Sequence, residues 1–185
     1  ENTFRPIKNL TINTGIYYAN STNTSGISPF NSVSQIKNTR YIPYMDLVGA
    51  NGTSVPVIHS YDQRYIDTAG AGYLRNWNYY PLEDYKHIYG ENNTEELMAH
   101  VNFDYQIIRG LDVSFMYQYD KQNTTQTNTQ DTSSYYTRNL INLFSQIDRN
   151  TGVVTYIVPP GGILSKSYTS LNAYNFRGQL NFGKT

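Results

Sequence analysis

Cysteine is absent from the 185 residues, and its absence excludes a disulfide framework, a thiolate metal site and a cysteine nucleophile together. Charge is scarce as well: Asp, Glu, Lys and Arg make up 15% of the chain, against roughly a quarter in ordinary soluble domains. The 14 basic and 14 acidic residues cancel and stand mostly alone, so nothing resembles the electrostatic footprint that nucleic acid or an anionic surface requires. No run approaches the roughly 18 apolar residues of a membrane helix. The opening Glu1-Asn2-Thr3-Phe4 has no initiator Met, basic region or apolar region of a signal peptide, so an export signal would lie upstream. What remains in abundance is tyrosine, 19 residues of it, among Asn, Thr and Ser, which is the chemistry of strands and loops.

Four segments alternate with a period of two, which sends successive side chains to opposite faces of a strand. In one, Leu97, Ala99, Val101, Phe103, Tyr105 and Ile107 oppose Met98, His100, Asn102, Asp104 and Gln106. After Arg109-Gly110 the pattern resumes, with Leu111, Val113, Phe115, Tyr117 and Tyr119 against Asp112, Ser114, Met116, Gln118 and Asp120. A tight hairpin follows, because glycine tolerates the positive φ that a two-residue turn demands. Leu10, Ile12, Ile16 and Tyr18 form a third apolar row, and Tyr174, Phe176, Leu180 and Phe182 a fourth, the latter facing away from Asn175, Arg177, Gln179 and Asn181.

Each segment has about the 9 to 11 residues with which a tilted strand crosses a membrane's hydrocarbon layer, whereas soluble strands average nearer five or six. The connections are unequal: almost nothing at 109–110, but long polar stretches after the first and third segments. Outer-membrane barrels have this asymmetry of short periplasmic turns and long extracellular loops. Tyr17, Tyr18, Tyr117, Tyr119, Phe176 and Phe182 fall near segment ends, where an interfacial aromatic girdle would place them. The expected fold is therefore all-β: an antiparallel transmembrane β-barrel segment with strands at about 8–20, 96–108, 111–121 and 171–184, and extracellular loops at about 21–95 and 122–170. Four strands cannot close a barrel whose smallest form has about eight, so the remainder is expected outside this sequence.

Chemistry-bearing constellations are few. His59, His87 and His100 lack partners at metal-ligand spacing, so no metal is expected. Glu83-Asp84 and Glu95-Glu96 could supply the carboxylate pair of a glycosidase, but neighbouring residues on a strand or loop point apart, which favours solvated charges. Gly70-Ala71-Gly72 lacks the third glycine of a dinucleotide loop, and 161–166 lacks the second glycine of a phosphate loop. No cofactor and no catalytic residue is expected.

Several strings have a further property in common. Tyr135-Tyr136-Thr137-Arg138-Asn139-Leu140-Ile141-Asn142, then Phe144-Ser145-Gln146-Ile147 and Gly161-Gly162-Ile163-Leu164, resemble the SusC/RagA family of TonB-linked outer-membrane proteins. So do Ile42-Pro43-Tyr44-Met45-Asp46-Leu47 running into Ala50-Asn51-Gly52, Trp77-Asn78-Tyr79-Tyr80-Pro81-Leu82, and Asn175-Phe176-Arg177-Gly178-Gln179-Leu180-Asn181.

The resemblance implies a nutrient importer in the outer membrane of a Bacteroidota-type bacterium, with a barrel of about 22 strands occluded by an N-terminal plug. It implies a SusD-like surface lipoprotein as partner, energy from TonB through a part of the protein not in this sequence, and an oligosaccharide or oligopeptide as cargo. The plug is not among these residues. Tyr41, Tyr44, Trp77, Tyr79 and Tyr80 are the candidate loop contacts to cargo or lid, because aromatic faces stack on sugars and anchor interfaces. The competing reading is that they pack the loops against one another. As a whole, the alternatives are a soluble, secreted β-sandwich that binds carbohydrate and a secreted hydrolase using Glu83, Asp84, Glu95 or Glu96.

Overall fold

The structure, a computed structural model, describes residues 1–29 and 44–183. Tyr41 lies outside the described residues. The chain divides into two compact units. Unit 1 comprises Glu1–Asn23, Asn92–Gln126 and the stretch from Ser167 onward, and unit 2 comprises Thr24–Glu91 and Thr127–Lys166.

The fold is all-β with antiparallel sheets, and among the described residues no barrel closes. Five strands, β1 (Asn2–Ile7), β2 (Leu10–Gly26), β3 (Ile88–Ile108), β4 (Leu111–Gln130) and β7 (Ile163–Phe182), form one sheet in the order β1-β2-β3-β4-β7. Two short strands, β5 (Ser145–Ile147) and β6 (Val154–Tyr156), form a second.

The hairpin at Arg109-Gly110 forms as its sequence demands. Gly110 has φ 86°, and a Cβ there would run into the carbonyl oxygen of Gly183, whose N–H donates to Gly110 C=O at 2.8 Å. A second two-residue turn, at Lys8-Asn9, joins β1 to β2, with Ile7 paired to Leu10. At the same end of the sheet Gln106 N–H donates to Asn9 C=O at 2.9 Å. The long connections 27–87 and 131–162 leave the other ends of these strands.

Strand β1 is an addition to the four strands expected. Its pairing with β2 shifts register between Phe4 and Ile7, and Pro6 sits at that irregularity, on an edge strand where a missing N–H is tolerated. The remaining strands also run further than expected, to 17, 21, 20 and 20 residues, so the connections are shorter than 21–95 and 122–170. The added lengths, such as Lys121–Gln130 in β4, are rich in Asn, Thr and Gln on both faces. Backbone pairing continues there while the apolar alternation that marks a half-buried strand disappears.

Within unit 1 the two rows separate cleanly. Phe115 and Tyr117 meet Phe176 at ring-centroid distances of 6.3 and 4.8 Å, and Tyr119 meets Tyr174 at 5.3 Å, so the apolar rows of β4 and β7 share one face. The opposite face carries a depression drawn from four strands and lined mostly by polar residues, Asn13, Asn102, Asp104, Ser114, Arg177 and Gln179, with Met116 and Phe115 also bordering it. His100 belongs to this face, where its ring occupies the space a Cβ on Gly15 would need. The apolar face is uncovered: Ile16, Phe176, Leu180 and Phe182 are 66 to 78% exposed.

Unit 2 has its own core. Trp77, Tyr79 and Tyr135 are buried together, with Val57, Tyr61, Ile66, Ala69 and Leu74 packed around them. Three short helices, which the sequence reading left inside loops, build this unit: α1 (Gln63–Thr68), α2 (Pro81–Asp84) and α3 (Tyr135–Leu143). Asp62 caps α1 by accepting from Arg64 N–H at 2.9 Å. Ser134 Oγ caps α3, accepting from Thr137 N–H at 3.3 Å.

Candidate functional site

The two connections of unit 2 are joined by side-chain amides from α3. Asn142 Oδ1 accepts from Arg75 N–H at 3.1 Å while its Nδ2 donates to Arg75 C=O at 3.0 Å, which imitates one rung of a strand ladder. One turn earlier, Asn139 Oδ1 accepts from Trp77 Nε1 at 2.8 Å. The string 135–142 therefore packs onto the segment 75–80, which holds Trp77-Asn78-Tyr79-Tyr80. Ile141, 1% exposed, is the most deeply buried apolar residue of the helix.

Beside this seam lies an open polar cleft of about 430 Å³ in unit 2. Its walls come from Arg75, Asn76 and Tyr80 on one connection, from Glu83, Asp84 and His87 at and after α2, and from Thr132, Ser133 and Arg138 at the start of α3. Asp84 is buried and accepts from Tyr135 N–H. Burial pushes its carboxyl above the usual aspartate range, opposed by that hydrogen bond and by Arg138 and the nearby histidines. Arg138 Nη1 donates to Asn76 C=O at 2.8 Å, and Nη2 stands 4.0 Å from Asp84 Oδ1, too far for a hydrogen bond. Burial lowers the guanidinium's pKa from its ordinary value, with Asp84 opposing.

The other charges of the site are matched locally. Glu83 accepts from Lys86 Nζ at 2.7 Å and from Ser54 Oγ at 2.9 Å, and these bonds hold its carboxyl low. His87 Nδ1 lies 2.7 Å from Asp131 Oδ2. Partial burial raises the Asp131 carboxyl, but the His87 bond and the N–H groups of Ser133 and Ser134 together outweigh it and hold it low. Asp131 N–H also donates to His87 C=O at 3.0 Å, so this pair ties the start of β3 to the end of β4.

The five aromatic candidates separate. Trp77 and Tyr79, 5% and 4% exposed, are core residues that pack the connections together. Tyr80 is half-buried on the cleft wall, and Tyr44 is fully exposed with φ 61°. His59 meets Tyr79 and Tyr135 in tilted and edge-on contacts at 4.8 and 4.9 Å, and partial desolvation lowers its pKa, with Asp84 opposing. Glu95 and Glu96 lie on β3 in unit 1. Among the described residues no group of three or more His, Asp or Glu side chains is placed to hold a metal ion. No helix among them is long and apolar enough to cross a membrane, which leaves open a crossing by strands.

Arg75, Asn76, Thr132, Ser133 and Arg138 are the cleft residues that sequence reasoning did not single out. Arg138 sits inside a string quoted for its resemblance, but nothing local says that it will face Arg75 across a cleft. Compared with known proteins, the chain matches no protein-family model and no curated protein.

Proposed function

We propose that this chain is part of the barrel of a TonB-dependent outer-membrane importer of the SusC/RagA type. It passes a bulky oligosaccharide or oligopeptide and works with a SusD-like surface lipoprotein. One observation carries the reading: a sheet with an uncovered apolar face, a polar opposite face and, among the described residues, two unpaired edges, β1 and β7. Fully burying an aliphatic or aromatic side chain yields about 1.5 to 3 kcal/mol. Leaving Ile16, Ile107, Phe115, Phe176, Leu180 and Phe182 44 to 78% exposed to water forgoes about 5 to 10 kcal/mol. That is comparable to the whole stability of a typical domain. A lipid-facing sheet continued by further strands at both edges removes the deficit, and long flat edges left open in water would aggregate.

Three features agree. Strands of 17 to 21 residues exceed the roughly 9 to 11 that crossing requires, leaving hydrated ends to project beyond the bilayer. Two-residue turns at one end and connections 27–87 and 131–162 at the other fit periplasmic turns and extracellular loops. Asn102, Asp104, Arg177 and Gln179 on the other face suit a hydrated lumen. The soluble sandwich would need a second sheet over the apolar rows, and among the described residues the other sheet is two strands of three residues each. In this reading the aromatic contacts available to cargo or lid among the described residues are Tyr44 and Tyr80.

The test is fractionation of the source cells and sizing of the detergent-extracted protein that contains this chain. The expected result is a heat-modifiable outer-membrane species far larger than 21.2 kDa that copurifies with a lipoprotein. A soluble monomer of 21.2 kDa overturns the proposal.

A further inference from the structure

Among the described residues the cleft of unit 2 has one arginine that none of its carboxylates meets. Glu83 is matched by Lys86, Asp131 by His87 and two backbone N–H groups, and Asp84 by Tyr135 N–H with Arg138 as its cationic neighbour. Arg75 is left over. Its backbone is held by Asn142, yet among the described residues its guanidinium meets no carboxylate. Arg138 is also underused: Nη1 donates to Asn76 C=O, whereas Nε is buried and among the described residues has no acceptor. A buried donor without an acceptor is costly, and native structures keep few of them unless a ligand or water completes the set.

The missing complement has a definite chemistry. A guanidinium fork pairs best with a planar, two-oxygen anion through parallel N–H···O bonds, and two arginines on one cleft supply more donors than a neutral hydroxyl can satisfy. Tyr80 adds an aromatic wall of the kind that packs on the body of a sugar or peptide residue. We infer that this cleft is a carboxylate-recognising subsite, in which Arg75 and Arg138 hold a carboxylate of a bulky ligand and Tyr80 packs against the residue that bears it. The inference rests on the importer reading for the identification of that ligand as cargo. The carboxylate comes from a uronic acid of an oligosaccharide or from an acidic peptide.

The experiment is calorimetric titration of the full-length protein, purified in detergent with its copurifying partner. The probes are trigalacturonate, its methyl ester, triglutamate and triglutamine. One acidic probe is expected to bind at least about tenfold more tightly than its neutral counterpart, the size of one charge-assisted hydrogen bond. Which acid shows the preference assigns the source as sugar or peptide. Arg75→Gln leaves the packing untouched, since among the described residues that side chain makes no hydrogen bond or ion pair, and abolishes the preference while the neutral probe binds as before. Equal binding of acid and neutral probe, no binding of either acid, or a preference that survives Arg75→Gln overturns the inference. Uptake by whole cells separates the two readings. Carboxylate preference without uptake leaves the subsite standing and removes the importer, whereas uptake without the preference does the reverse.

Discussion

Asn142→Ala should loosen the connection 131–162 from the connection 27–87 and leave the five-stranded sheet intact. Asn142 is 4% exposed and spends both ends of its amide on one residue, at 3.1 and 3.0 Å from the backbone N and O of Arg75. Each bond contributes about 1 kcal/mol net, and a buried group stranded by its loss costs about 1 to 3 kcal/mol. Arg75 is half-buried, so water partly rescues its backbone and the expected loss is about 2 kcal/mol, near the low end. That corresponds to a roughly 30-fold rise in local opening. Hydrogen exchange measured by mass spectrometry on the full-length protein reads this directly, as faster exchange in peptides spanning 74–79 and 139–143 with the middles of β3 and β4 unchanged. Asn142→Asp is the sharper control, because it keeps the acceptor for Arg75 N–H but turns a second oxygen toward Arg75 C=O. Exchange of Asn142→Ala within about threefold of the parent would refute the assignment of this amide as the tie.

Three other perturbations test the remaining parts of the structure. Gly110→Ala must hold φ 86° with a Cβ directed at Gly183 C=O, and should cost on the order of 1 to 2 kcal/mol, read as a lower temperature of heat modification. Phe176→Lys places a charge on the apolar face and should cost about 2 to 4 kcal/mol if that position lies near mid-bilayer, cutting the yield of assembled protein. Gln179→Lys, on the polar face of the same strand, should leave the yield unchanged, and equal losses would contradict the facing of β7. Because the folded-state pKa of His59 is lowered from its ordinary 6.5, its contribution to stability is present above that value and lost as pH falls through the folded pKa. Protection of the core peptides around Tyr79 and Tyr135, corrected for the intrinsic pH dependence of amide exchange, should therefore fall below about pH 6.5 in the parent and less so in His59→Phe. Parallel pH profiles for the two proteins would remove His59 as the cause.

Much of unit 1 was legible from the residues alone. The alternation in 97–107 and 111–119 and the glycine between them determined a hairpin and assigned each side chain to a face, because a strand's period of two is set by backbone geometry and needs no partner. The same signal missed β1, where Pro6 and a shift of register break the alternation. It also understated every long strand, since Asn, Thr and Gln alike on both faces leave no contrast to read. Helix α3 was invisible for a related reason. Its buried face is built from Tyr135, Thr137, Ile141 and Asn142, half of them polar, and polar residues are buried only where a partner elsewhere in the chain accepts them. Gln130, the partner of Thr137, is only seven residues away, but Arg75, the partner of Asn142, arrives only once two distant connections have folded together. The cleft has the same origin. Local sequence decided which residues form strands and which side of the sheet is apolar, whereas the meeting of Arg75, Tyr80, Asp84 and Arg138 was decided by long-range hydrogen bonds that no local period encodes.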